Sequence, residues 1–266
     1  MKIKEVAEAL ERFAPLPLQE SYDNAGLQIG LTEAEASGVL LCLDVTESVI
    51  EEAAAKGCNL VVAHHPLLFK GVKQISDMTM VERCLRQAIL SGIAIYAAHT
   101  NLDNAEGGVN HVIAQKLGLE KLEFLVPQGE YAGVKGGSGV VGYLPATEAP
   151  MAFLERVAKV FGVDCLMHNE GPSCDIRKVA LCGGSGDFLL EAAIAQEADA
   201  FLTGEMSYHR YFGQENSIWL GVLGHYQSEQ FTIELLSQIL ETEFPTLPIY
   251  KTEHDTNPVK YMWRKK

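Results

Sequence analysis

Two adjacent histidines, His64 and His65, close the apolar run NLVVAHHPLLF, with Pro66 behind them. A pleated strand sends successive side chains to opposite faces and a proline fixes the exit, so both rings belong at the strand's C-terminal rim. Imidazole is the commonest protein metal ligand near neutral pH. The run AIYAAHTNLDNAEGGVN supplies His99 and Asp103 past its own end, where Asp103 either ligates a cation or caps the following helix. In GVLGHYQSEQFTIELL, His225 and Glu229 are four residues apart and share a face if a helix begins near Tyr226. Three nitrogens and two carboxylates exceed the four ligands that close a structural zinc site. They suit a pair of divalent cations ~3.5–4 Å apart with positions left open for water. Such donors accept Zn, Fe, Mn, Ni or Co.

Other residues are candidates for contact with a substrate. In TGEMSYHRY, Glu205 and His209 are four apart after a strand end; one of them faces the metals as a general acid or base, or Glu205 is a carboxylate favoured by a helix N-terminus. His99 is a candidate for orienting a ligand from behind. Asp23 and Asn24 in SYDNAG are either site residues or turn formers. CGGSGD, residues 182–187, reads as a tight strand-to-helix turn rather than a phosphate cradle, because it lacks the Lys and Ser/Thr of a P-loop. Nothing in the chain matches HExxH, GxSxG or a Cys–His nucleophile pattern.

The elements that must carry these residues are short buried strands alternating with amphipathic helices. Strands are expected at Val39–Leu43, Leu60–Ala63, Ile93–Ala97, Val179–Cys182, Ala200–Thr203 and Ile218–Leu223. Helices are expected at Glu47–Lys56, Met78–Leu90, Val109–Leu117, Ala149–Phe161, Phe188–Gln196 and Gln227–Leu240. The Gly-rich stretch from Pro127 to Pro145 predicts two strands turning through Lys135–Gly139. A shift of 140 positions lays Val39–His65 over Val179–Glu205, matching Leu41-Cys42 with Leu181-Cys182 and Leu60–Ala63 with Ala200–Thr203. Duplication and coincidence between two strand–helix–strand units both explain this match. The expected fold is α/β: two related α/β domains, the first discontinuous (1–126 plus 221–266) around a second (127–220). The metal site is expected at C-terminal strand ends in the cleft between them.

The 266 residues carry 21 Lys+Arg against 35 Asp+Glu, a formal charge of −14. That acidity and the lack of a basic cluster argue against direct nucleic-acid binding, which draws on cations that release phosphate counterions. No window is long and apolar enough to span a bilayer. The opening MKIKEVAEALERF, broken by Glu5, Glu8 and Glu11, does not read as a secretory leader, so a cytoplasmic location is expected. The six cysteines form no CxxC pair and read as small buried hydrophobes in a reducing compartment.

The strings SYDNAGLQIG, VVAHHPLLF, HTNLDNAEGGVN, TGEMSYH, LGHYQSE and the closing EHDTNPVKYM together resemble the GTP cyclohydrolase I type 2 homologues, the NIF-three-like family. The resemblance runs over nearly the whole chain. It implies a two-metal site on His64, His65, Asp103, His225 and Glu229, and a ring-shaped homohexamer with the sites facing an internal cavity. It also implies the short form of the family, without an inserted middle domain. The expected activity is hydrolysis of a small nucleotide-like or phosphorylated molecule by two divalent cations, with the ring opening of GTP as one version. The alternative is a metal-binding, ring-shaped scaffold for protein partners, without turnover.

Overall fold

The computed structural model describes residues 1–262. In chain order its first part comprises α1 (Ile3–Phe13), β1 (Gly26–Ile29), β2 (Val39–Cys42), α2 (Glu47–Ala55), β3 (Leu60–Ala63), α3 (Met80–Leu90), β4 (Ala94–Ala97), α4 (Thr100–Asn104) and α5 (Val109–Lys116). There follow β5 (Glu120–Tyr131), β6 (Val134–Glu148), α6 (Pro150–Phe161), β7 (Met167–His168), β8 (Ile176–Cys182), α7 (Leu190–Ala195), β9 (Ala200–Thr203) and β10 (Trp219–Val222). The chain ends through α8 (His225–Glu229), α9 (Thr232–Glu243) and β11 (Ile249–Lys251). No helix of the described residues is long and apolar enough to cross a membrane.

Two sheets result, one ordered β1-β4-β3-β2-β11 and the other β5-β6-β8-β9-β10-β7. Each has three parallel strands at its centre, β2-β3-β4 and β8-β9-β10. Side chains alternate between the faces: Val39 and Leu41 of β2 join Val179 and Leu181 of β8 in one shared core, while Leu40 and Cys42 pack under α2 and α3 on the outer face. Burial on both faces is why these strands read as continuous apolar runs. Polar side chains start the outer helices, with the Thr46 hydroxyl accepting from the Val49 amide and the Thr79 hydroxyl from the Glu82 amide. In α1, Ile3, Val6, Ala9 and Leu10 form the buried stripe.

Several expectations need correction. The boundary at 126/127 falls inside β5, which pairs with β6 along its length, and 220/221 falls inside β10, which pairs with β9; both strands therefore belong to the second sheet. The chain does return to the first sheet afterwards, where α9 packs and β11 pairs with β2. The β5–β6 hairpin turns at Ala132-Gly133, both at positive φ, and not through Lys135–Gly139. Gly136 and Gly137 lie inside β6, where an added Cβ would fall 2.3 Å from Leu18 Cδ2 and 2.6 Å from Phe124 Cγ. These glycines admit a close neighbour and make no turn. The helix expected over Gln227–Leu240 is divided into α8 and α9. Cys42, Cys58, Cys84 and Cys182 are buried, but Cys165 and Cys174, in the loops around β7, are exposed.

Candidate metal centre

At the end of β3 the ladder runs on past the strand, the His64 amide donating to the Cys42 carbonyl (3.1 Å) and the His65 amide to that of Leu43 (2.9 Å). Both backbones are thus fixed before Pro66 turns the chain away. His64 is fully buried and His65 partly so, with ring centroids 4.8 Å apart. Asp103 lies in the last turn of α4 and caps nothing: α5 has Gly108 at its N-cap. His225 and Glu229 are the two ends of α8 and share one face, as their spacing requires.

These residues meet at the Glu229 carboxylate. His65 Nε2 is 3.0 Å and His225 Nε2 3.2 Å from its Oε2, and His64 Nε2 is 3.7 Å from its Oε1. His64 Nε2 is also 3.7 Å from Asp103 Oδ1, and the two Nε2 atoms of His65 and His225 are 3.3 Å apart. His64, His65 and Glu229 have donor atoms within 4.8 Å of one another, a group able to hold a metal ion.

The other nitrogen of each ring is already engaged. Nδ1 of His64 donates to the Ala98 carbonyl (2.8 Å), that of His65 to Asp44 (2.9 Å) and that of His225 to Glu205 (3.0 Å). A carbonyl or carboxylate only accepts, so the proton of each neutral imidazole sits on Nδ1 and every Nε2 turns a lone pair inward. Lone pairs would then face carboxylate oxygens and one another, and His64 Nε2 is buried without a hydrogen-bond partner among the described residues. Positive charge is what this centre lacks, and a divalent cation fits its donors better than three protons do.

The electrostatics agree. Burial opposes a charged His64, yet Asp103 and Glu229 raise its pKa above the ordinary value. Burial likewise opposes a charged His65, which Asp44 and Glu229 push up to about 10. His225 is raised, against its burial, by Glu229. Burial raises Asp103, whereas Glu229, though buried, is held well below the carboxylate range by the positive charge that His64 first, and then His225 and His65, place beside it when protonated.

The remaining expected residues fall at different distances from this centre. Glu205 touches Nδ1 of His225 and accepts from Ser185 Oγ (2.6 Å), so it stands one bond behind the inward nitrogens. The helical turn expected to align it with His209 does not form: Gly204–Ser207 is irregular, and His209 lies beyond it in a 3-10 turn against Tyr208 and Phe212. His99 contacts none of the inward nitrogens by hydrogen bond. Its Nδ1 donates to Asp23 Oδ1 (2.7 Å), and Asp23 also accepts from the Thr100 amide and hydroxyl. Asn24 follows the turn at Ser21-Tyr22, and its side chain donates to the Leu68 carbonyl (2.7 Å). In the CGGSGD turn the amides of Gly183, Gly184 and Gly186 are bonded to Asn110, Ser228 and Thr203, which leaves no open phosphate cradle.

Asp44 was not among the expected site residues, although a carboxylate just past the end of β2 is the same signal that singled out Asp103. Two cavities meet at the centre. One, of about 380 Å³, is bordered by His65, Asp103, His225 and Glu229; the other, of about 850 Å³, by Asp44, Glu205 and Tyr261; His65, Ser185 and His225 border both.

The family model Duf34/NIF3 (NGG1p interacting factor 3) matches residues 1–258. A Lactococcus lactis protein named GTP cyclohydrolase 1 type 2 homolog is 34% identical over 97% of this chain and 98% of its own length. A Clostridium acetobutylicum protein of the same name is 31% identical, covering 98% of this chain and 99% of its own. Among solved structures, the Staphylococcus aureus protein SA1388 superposes with a TM-score of 0.88 at 26% identity, over 98% of this chain and 99% of that one.

Proposed function

The chain belongs to the Duf34/NIF3 family, and from that premise we propose that it is a hydrolase using two divalent metal ions on His64, His65, Asp103, His225 and Glu229. The observation that carries this reading is the convergence of three imidazole Nε2 atoms on one buried carboxylate while all three Nδ1 atoms are held elsewhere. Five protein donors shared between two ions leave each with open positions. When bound, such a pair lowers the pKa of a shared water and polarises a carbon–nitrogen or phosphorus–oxygen bond. The protein's part is to hold the donors: Ala98, Asp44 and Glu205 fix the rings and their tautomers, and Asp23 fixes His99 at the edge of the smaller cavity. The relatives' name supports a small nucleotide-like or phosphorylated substrate, with GTP ring opening as one version.

The test is purified protein loaded with Mn²⁺, Zn²⁺ or Fe²⁺ against a nucleotide panel, with metal counted by mass spectrometry and by anomalous scattering. Turnover is expected, and both it and bound metal are lost in His64→Ala and Glu229→Ala. Turnover that survives these substitutions would overturn the reading.

The second reading, a ring-shaped homohexamer serving as a scaffold, draws on exposed Val72, Ile75, Met78 and Met80 in the loop before and at the start of α3. Light scattering of the purified protein, together with a panel that yields no turnover while the metal stays bound, would favour it.

A further inference from the structure

The smaller cavity has a feature that metal binding leaves unused. Tyr22, Phe69 and Phe188 border it and are exposed residues, at 61%, 44% and 52%. Tyr22 and Phe69 meet edge-on, with centroids 6.3 Å apart, and Phe69 in turn stands edge-on to His99 at 6.2 Å. Phe188 comes from the other unit, from the short turn before α7. Large aromatic faces are normally covered; these are kept open beside a polar centre.

Glu20 borders the same cavity and its placement is constrained. Its Oε1 accepts from Asn104 Nδ2 (3.1 Å), Gln128 Nε2 (3.1 Å) and Ser138 Oγ (3.3 Å). Three donors on one oxygen fix the carboxylate while its second oxygen takes no hydrogen bond among the described residues. No Lys or Arg borders the cavity among those residues. A phosphate chain would find no side-chain cation here, whereas a flat ring would find π faces and, at its edge, an acceptor for N–H donors.

We propose that this cavity binds the substrate of the centre through a planar nitrogen heterocycle, with Tyr22, Phe69 and Phe188 contacting its faces and Glu20 reading N–H groups on its edge. This rests on the hydrolase reading for its link to turnover, but the binding it describes is separable from chemistry. A cavity of about 380 Å³ is of nucleoside size.

The test is calorimetric titration of the metal-loaded full-length protein with guanosine, adenosine and ribose. Guanosine, with adjacent N–H donors on its edge, is expected to bind more tightly than adenosine, and ribose not at all. Tyr22→Ala and Phe69→Ala are each expected to weaken guanosine by about tenfold, the size of one lost aromatic face. Glu20→Gln keeps an acceptor for Asn104, Gln128 and Ser138, and is expected to abolish the preference for guanosine over adenosine. Circular dichroism confirms that each variant is folded. Equal binding of ribose and the nucleosides, absence of nucleoside binding, or folded variants that bind as wild type would overturn the proposal. If nucleosides bind as described and no panel compound is hydrolysed, the hydrolase reading fails and the ring site stands. If hydrolysis is lost in His64→Ala but untouched in Tyr22→Ala, Phe69→Ala and Glu20→Gln, the ring site fails and the metal reading stands.

Discussion

The units β2–α2–β3 and β8–α7–β9 are built alike and used differently. In the first, Val39 pairs with Leu60 and Cys42 with Ala63; in the second, Val179 pairs with Ala200 and Cys182 with Thr203, the same register 140 residues on. Each is flanked by a third parallel strand, β4 or β10, and then by an antiparallel edge strand, β1 or β7. Their rims diverge. Where the first unit has Asp44, His64 and His65, the second has Gly184, Gly204 and Glu205. An added Cβ at Gly184 would lie 2.2 Å from Glu229 Oε1, and one at Gly204 would lie 2.5 Å from Ser228 Oγ and 3.0 Å from His225 Cα. One rim supplies donors and the other supplies room for α8 to bring its own donors in. Matching architecture therefore says little about chemistry, which is decided by what stands at the strand ends.

That contrast is open to attack by substitution. The largest effect is expected from the donor rim: His64→Ala or Glu229→Gln should reduce metal affinity by more than about 100-fold, beyond the usual cost of removing a supporting group, as read by competition with a chelating dye. Next comes the permissive rim. Gly204→Ala adds one methyl group, yet it should cost about 1–3 kcal/mol in chemical denaturation and displace His225, with metal retention falling in step. If the variant keeps wild-type stability and metal, the second rim is not there to make room. Asp44→Asn should weaken metal by about 10–100-fold, and Glu205→Gln by less, because Glu205 is 57% exposed against 35% for Asp44. An equal loss in the two would erase the distinction between the units at this level.

The smallest expected effect is one of pH. Burial opposes ionisation of Asp23, but His99 and Thr100 hold its carboxyl down to about 2. A depressed carboxyl stabilises the fold fully above its unfolded pKa near 4, and that contribution is lost as the pH falls toward about 2. Asp23→Asn should flatten this acid limb of the unfolding midpoint and leave the neutral range parallel to wild type.

Much of this arrangement is legible in the sequence, for identifiable reasons. Leu60–Ala63 and Ala200–Thr203 are buried on both faces, so their apolar runs mark the strands residue for residue. Gly26–Ile29 and Ile249–Lys251 are short edge strands with one neighbour each and no comparable pattern. The glycines of β6 mislead because a residue that accommodates Leu18 or Phe124 looks the same as one that makes a turn. Among site residues, a histidine doublet at a strand end stands out. Asp44 does not, since a lone Asp after a strand is also an ordinary turn residue. His209 misleads because a four-residue spacing aligns side chains only on an α-helix that spans both, and here a 3-10 turn begins at Tyr208, after Glu205.

Asn110 gives the join between the units a consequence in time. Its side chain donates to the Asp103 carbonyl and accepts from the Gly183 amide, so one amide ties the Asp103 backbone of the first unit to the glycine turn of the second. His64, His65 and Asp103 leave the ribosome well before Gly183 exists, and on the order of 10 s before Glu229 at ordinary elongation rates. A nascent chain thus carries two imidazoles and a carboxylate that wait for their partner, and the full set of candidate donors comes together only when the last helices arrive.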